Sequence, residues 1–322
     1  MFLTGLVDIM HKPKIFIDGQ AGTTGLQIHE LLARDGAMAI DILTLNESER
    51  KDEKARRRLL NEADVAILCL PDDAARQAVS WIENDRVRVL DASSAHRVAP
   101  KWAYGFPELR KDQAGRIAKA RLVSNPGCYA TGAIALLSPL VQAGLLAPAT
   151  PITINAISGY SGGGKKMIAN YEDPSNHMPA FRPYGLDFQH KHIKEMQKHS
   201  ALSHAPLFSP AVGLFRQGMM VQIPMQLWAL PSATTPGDLH AALSNHYMHS
   251  SVVKVAPFIE GAAANEITLD PEKFNDTNFL EISVFGDPVS KQAVLIACFD
   301  NLGKGASGAA IQNLRLMLGF DA

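Results

Sequence analysis

Along its first 100 residues the chain switches repeatedly between two hydrophobic periods. Residues 14–18 (KIFID) form a short β-rich run, and 24–35 carry Ile28, Leu31 and Leu32 at helical spacing toward one face. Residues 39–45, 65–70 (VAILCL) and 87–90 read as further strands, with a charged helix at 51–61 and another helix at 72–83. Strand, helix, strand, helix at this cadence predicts βαβ units and a parallel sheet. The continuous apolar run VAILCL fits a strand covered on both faces. After about Pro126 the pattern changes. Residues 152–158, 205–212, 219–229, 279–284 and 292–299 are longer strand candidates with few helices between them. They predict a mixed or antiparallel sheet, and a helix at about 304–318 closes the chain. In 322 residues two domains are expected, with the boundary between Val123 and Cys128.

Apolar residues make up 47% of the chain, enough for two cores without disulfides. The net charge of −1 lacks the basic excess of a general nucleic-acid binder. Cys69, Cys128 and Cys298 form neither a disulfide framework nor a C-x-x-C metal pair, which fits a reduced, cytoplasmic setting. No apolar run has the roughly 18 residues of a membrane helix. Residues 1–14, with Asp8 and His11 in a mildly apolar stretch, read as a short extension and not as a signal peptide.

Gly19-Gln-Ala-Gly22-Thr23-Thr24-Gly25 follows the first strand and opens the first helix. Glycines there let backbone approach a pyrophosphate, and the helix start offers free N–H groups. In this context the turn is a dinucleotide fingerprint. At the end of the second strand, Glu47 suits the ribose diol of NAD, whereas Ser48 and Arg50 suit the 2′-phosphate of NADP. Both types are present, so the residues leave the coenzyme open. The charge run of Arg50, Lys51, Lys54, Arg56, Arg57 and Arg58 otherwise reads as a solvated helix face.

Ser124-Asn-Pro126-Gly127-Cys128 precedes a helical run from Tyr129 to about Val141, despite Pro139. Cys128 at a helix start, exposed by a Pro-Gly turn, is expected to have a lowered thiol pKa. Cys69 and Cys298 lie in apolar strands and read as inert. A cysteine nucleophile needs a proton partner, and His190-Lys-His192-Ile-Lys-Glu195 supplies candidates at the start of a helix. H-x-H also resembles a metal pair, but no further ligand cluster follows, so no metal is expected. Ser158-Gly159-Tyr-Ser-Gly-Gly-Gly-Lys165-Lys166 reads as an anion or active-site loop, or else as a flexible hairpin. Arg97, just past the fourth strand, is placed to clamp a carboxylate or phosphate. A dinucleotide site, an activated cysteine and a histidine together indicate hydride transfer at the acyl or aldehyde level through a thioester.

The segments SNPGCYATG, SGYSGGGKK and HKHIKE resemble those of N-acetyl-gamma-glutamyl-phosphate reductases of the shorter bacterial type, and the resemblance runs from Gly19 to Gly305. The related aspartate-semialdehyde dehydrogenases carry Asn where this chain has Gly127. The resemblance implies an α/β fold: a Rossmann-type domain (1–127) and an α+β domain (128–301) like the catalytic domain of glyceraldehyde-3-phosphate dehydrogenase. A C-terminal helix (302–322) would pack back onto the first. It implies NADPH as coenzyme, Cys128 as nucleophile and His190 as the proton donor and acceptor. Arg97, Ser158, Gly159, Tyr184, His192 and Glu195 would line the substrate site. Asn301 and Lys304 would lie near the nicotinamide. The implied reaction is reduction of the acyl phosphate to its semialdehyde in arginine biosynthesis, by a homodimer or homotetramer. The alternatives are another acyl-phosphate reductase, such as one acting on aspartyl phosphate, or a non-catalytic NADP-binding protein.

Overall fold

The computed structural model describes residues 12–320, apart from 21, 35, 37, 231–232 and 260. The extension read at 1–14 therefore lies outside the described residues except for its last three.

The first sheet contains β1 (Lys14–Asp18), β2 (Asp41–Leu43), β3 (Val65–Leu68), β4 (Arg88–Asp91), β5 (Ala103–Tyr104) and β6 (Leu122–Ser124). Their order is β2-β1-β3-β4-β6-β5, and every pair is parallel. Helices α1 (Thr23–Arg34), α2 (Glu53–Glu62), α3 (Asp72–Ser80) and α4 (Gln113–Lys119) connect them. Alternation along β1 sends Ile15 and Ile17 into one core and Phe16 into the other. The first core takes Ile28 and Leu32 of α1 and Ile117 of α4; the second takes Leu59 and Leu60 of α2 and Ala75 and Ala78 of α3. Helix α2 starts at Glu53, later than the reading from 51, because the Asp52 side chain accepts from the Ala55 N–H at 2.7 Å. The charge run is not wholly solvated. Arg56 makes a 2.9 Å ion pair with buried Asp18 and lies over Trp81.

The second sheet is mixed, as the strand lengths predicted. It contains β7 (Thr153–Gly159), β8 (Phe181–Pro183), β9 (Leu207–Gly213), β10 (Met219–Gln226), β11 (Val253–Val255), β12 (Leu280–Asp287) and β13 (Gln292–Phe299), in the order β11-β12-β13-β10-β7-β9-β8. Helices α5 (Cys128–Gln142), α6 (Gly164–Glu172), α7 (His192–His199) and α8 (Pro236–Tyr247) accompany it. Helices α4, α6 and α8 were not read from the sequence. Residues 159–166 are no hairpin: a 3-10 turn (Tyr160–Gly163) leads directly into α6.

Helix α5 is the buried axle of this half. Gly132 lets it approach the sheet, since a Cβ there would stand 2.7 Å from Val221 and 2.8 Å from Phe299. Pro139 lacks the N–H that would bond the Ala135 carbonyl. The Tyr247 hydroxyl of α8 donates to that carbonyl instead, at 2.8 Å. The last helix begins as a π-helical turn (Gly303–Ser307) and continues as α9 (Gly308–Leu318). Ala310, Leu314 and Met317 of α9 enter the first core, beside Ile15 and Ile28.

Candidate active site

Strand β1 lies between β2 and β3, so successive connections leave it in opposite directions. An open parallel sheet leaves a ligand crevice at such a point. The glycine turn sits there. Gly19 has φ +91°, and a Cβ on it would lie 2.3 Å from the Cys69 carbonyl oxygen. A Cβ on Gly25 would lie 2.5 Å from the Gly19 carbonyl oxygen. Gly22 donates to that same carbonyl at 2.9 Å, which closes the turn before α1. The adjoining cleft, of about 470 Å³, is lined by Gly19, Gln20, Arg50, Lys51, Leu70 and Pro71 among others. Arg50 faces this cleft, whereas neither Glu47 nor Ser48 lines it. Glu47 is 90% exposed and meets Arg50 at 3.7 Å. Lys51, which sequence reasoning assigned to a solvated face, is a second cation in the cleft.

Cys128 is the first residue of α5, one earlier than read, with Gly127 as the cap. It opens onto a cavity of about 210 Å³ lined also by Thr23, Thr24, Arg97, Asn125, Tyr184, His190 and His192. Helix α1 of the glycine turn and helix α5 of the cysteine thus start at one cavity. Burial raises the Cys128 thiol above its ordinary value, against the Tyr129 N–H and the charges of Arg97 and Lys191, which pull it down. The lowered pKa expected from the helix start is therefore not found in the free site: desolvation outweighs it. Cys69 and Cys298 are pushed up to about 12, also by burial.

Gly127 is where the cavity is tightest. A Cβ on it would stand 2.3 Å from Nε2 of His192 and 2.4 Å from Nη1 of Arg97. Its N–H donates to Oε1 of Glu195 at 2.8 Å. The same oxygen accepts from the Tyr104 hydroxyl at 2.7 Å, and Oε2 accepts from Nη1 of Arg97 at 3.3 Å. Arg97 also donates to the carbonyls of Asn125 and Ala92. Glu195, which the resemblance sets along the substrate site, does not itself line the cavity. It is buried behind the cavity and holds the turn that carries Cys128. Tyr104 was missed altogether; no local pattern marks a tyrosine whose partner lies 91 residues away.

His190 and His192 both line the cavity, with ring centroids 4.7 Å apart, and His190 stands just before α7 while His192 is its first residue. The His192 N–H donates to Nδ1 of His190 at 3.2 Å, so the neutral His190 ring carries its proton on Nε2. Burial lowers the His190 pKa to about 4, with Lys191 and Arg97 adding to the effect. His192 is buried, its pKa is also lowered by desolvation, and its Nδ1 has no partner. Tyr184 lies near His190, with ring centroids 5.8 Å apart.

The remaining assignments separate. Asn301 lines the cavity, but its side chain is engaged by the Gly218 N–H and the Ser161 hydroxyl. Ser158 and Gly159 stand behind the cavity at the end of β7. The Ser158 hydroxyl donates to the Gly159 carbonyl, and a Cβ on Gly159 would meet Arg216 backbone at 2.5 Å. Lys304 lines neither the cleft nor the cavity. It is fully buried, with Nζ on Glu108 at 2.8 Å and on Gln312 at 2.7 Å. Among the described residues no cluster of His, Cys, Asp and Glu could hold a metal, and no helix is long and apolar enough to cross a membrane.

Two family models match the chain: the semialdehyde dehydrogenase NAD binding domain over residues 49–117 and the semialdehyde dehydrogenase dimerisation domain over residues 128–301. The fold agrees with this class. Aspartate semialdehyde dehydrogenase II of Vibrio cholerae superposes with a TM-score of 0.71 at 14% identity, covering 96% of this chain and 99% of that one. The enzyme of Candida albicans, solved with NADP, gives 0.65 at 15% identity over 95% and 98%. Within that class, the chain belongs to the N-acetyl-gamma-glutamyl-phosphate reductase family. It is 54% identical to a protein of that name from Pseudomonas putida, over 96% of this chain and 98% of the relative. It is 53% identical to one from Mesorhizobium japonicum, over 96% and 100%.

Proposed function

We propose that the chain reduces N-acetyl-gamma-glutamyl phosphate to N-acetylglutamate semialdehyde with NADPH, through a thioester on Cys128. The observation that carries this reading is the shared cavity, where the α1 start and the α5 start meet with Cys128, His190 and Arg97 around them. The glycine turn fits a dinucleotide, because Cβ atoms on Gly19 and Gly25 would fill the space against its own backbone. Arg50 and Lys51 would hold a 2′-phosphate, and this pair favours NADP over NAD. When bound, the coenzyme supplies hydride to the acyl carbon.

Cys128 attacks that carbon. The new C–S bond replaces the C–O bond to phosphate, and the thiol proton leaves with the phosphate. Nε2–H of neutral His190 donates to the carbonyl oxygen as charge develops there, that proton passes to the oxygen after reduction, and solvent water returns one to Nε2. Cleavage of the C–S bond then passes the proton on oxygen to sulfur and frees the semialdehyde. Arg97 binds the substrate carboxylate from the cavity floor, held in place by Asn125, Ala92 and Glu195. Tyr184 and His192 complete the wall. Gly127 favours this substrate over aspartyl phosphate, since an Asn side chain there would displace His192 and Arg97.

We further assign residues 1–127 with 302–322 to coenzyme binding and 128–301 to catalysis and assembly, in a cytoplasmic homodimer or homotetramer. The test is the reverse reaction: N-acetylglutamate semialdehyde plus phosphate, with NADP or NAD, read as reduced-nicotinamide absorbance. Phosphate-dependent signal with NADP, lost in Cys128→Ser, is expected. Turnover that survives Cys128→Ser would overturn the scheme.

A further inference from the structure

We propose that Lys191 holds the phosphoryl group of the substrate and the inorganic phosphate it becomes; the assignment rests on the acyl-phosphate reading above. The catalytic cavity is lined by two basic side chains besides the histidines, Arg97 and Lys191. They differ in what already holds them. Arg97 is buried; its charge is balanced by the Glu195 carboxylate, and three of its five N–H groups are taken by Glu195 and two backbone carbonyls, leaving two for the substrate carboxylate. Lys191 is exposed at the entry to α7 and makes no ion pair or hydrogen bond among the described residues. His190 and His192 are neutral near pH 7, so they add no positive charge. A phosphoryl dianion entering this space therefore meets one uncompensated cation.

The placement also suits a leaving group. Arg97 is on the floor and Lys191 at the mouth, with Cys128 and His190 in the same cavity. A substrate with its carboxylate on Arg97 and its phosphoryl group on Lys191 presents the acyl carbon between them. Phosphate can then depart to solvent while the acyl group stays on sulfur. An ammonium on a flexible stem with three donors can follow the departing group, whereas a fixed guanidinium cannot. Lys191 lines the same cavity as Cys128, between the two histidines in the chain.

The test uses the full-length protein in the reverse reaction. Lys191→Gln should raise the KM for phosphate about tenfold or more, the loss of one charge-assisted contact, and leave the KM for semialdehyde within about twofold. Lys191→Arg should restore the phosphate KM to within about threefold. Inorganic phosphate should also slow iodoacetamide labelling of Cys128 in the unsubstituted protein and not in Lys191→Gln. An unchanged phosphate KM in Lys191→Gln, or equal rises in both KM values, would overturn the assignment and leave the acyl-phosphate reading standing. No phosphate-dependent turnover in the unsubstituted protein would remove that reading, and the assignment with it.

Discussion

The coenzyme cleft and the catalytic cavity meet at the start of α1, yet they are built in opposite ways. The cleft comes from one stretch of chain, residues 16–74, and its critical surface is backbone that glycine leaves bare. The cavity is assembled from segments as far apart as Thr23 and Ala306, and its critical surface is side chains held by other side chains. A local motif can specify the first completely. In the second it specifies which groups are present and leaves their directions to the rest of the fold.

Adding one methyl group on each side separates the two designs most sharply. Gly127→Ala would push on His192 and Arg97 from 2.3 and 2.4 Å. Misplacing catalytic groups by about an ångström costs on the order of 10²-fold. The expected outcome is that loss in kcat/KM, with NADP affinity unchanged by fluorescence titration. Gly19→Ala meets rigid backbone at 2.3 Å in a left-handed conformation. It should instead abolish measurable NADP binding while leaving Cys128 open to iodoacetamide. If both variants lost coenzyme affinity equally, the two sites would not be separable.

A smaller effect sharpens the cleft side. Arg50→Gln should raise the KM for NADP about tenfold and leave that for NAD within about twofold, since a single charged contact to a 2′-phosphate is removed. An equal change for both coenzymes would mean that Arg50 serves only its neighbour Glu47.

The cavity side is tested by proton chemistry. Burial raises the Cys128 thiol, so its thiolate fraction keeps growing through the alkaline range. Iodoacetamide labelling should therefore keep rising from pH 7 to 9, where an activated thiol would level off. His190, lowered to about 4, should impose no acidic limb on kcat/KM until the pH approaches that value. The sign for stability follows. A histidine whose folded pKa lies below its unfolded value binds fewer protons when folded, so its contribution is present above pH 6.5 and fades as the pH falls toward 4. Urea midpoints should thus drop between pH 7 and 5, and drop less in His190→Asn.

These contrasts explain what could be read from the chain. Strands β1, β3 and β13, the glycine turn and the α5 start were legible because each is a local pattern of period, glycine and cap. Helix α6 was not, because the glycine run 162–164, whose last member is its first residue, masks its start. The direction of Lys304 was not, because its carboxylate partner Glu108 lies 196 residues away. Glu195 was legible as part of the site, but its place behind the cavity was not, for the same reason. Position in a motif carries no information about which of two neighbouring layers a side chain enters.

Tyr104 acts wholly through tertiary context, and its removal should give the mildest effect. Its hydroxyl is one of three donors on the Glu195 carboxylate, and its ring stacks on His199 at 3.6 Å. Tyr104→Phe keeps the ring and the stack and removes only the donor. Glu195 then still holds the Gly127 N–H and Arg97, so the turn before Cys128 stays in place but is less firmly set. A hydrogen bond to a charged group contributes about 1.5–3 kcal/mol, part of which the remaining donors recover. The expected result is a three- to tenfold fall in kcat, roughly 0.7–1.4 kcal/mol, with both substrate KM values and NADP affinity unchanged. A rise in the semialdehyde KM instead would show that Glu195 holds Arg97 for the substrate more than it holds Gly127 for the cysteine. The cavity would then resemble the cleft, a binding surface with the nucleophile set by its own backbone alone.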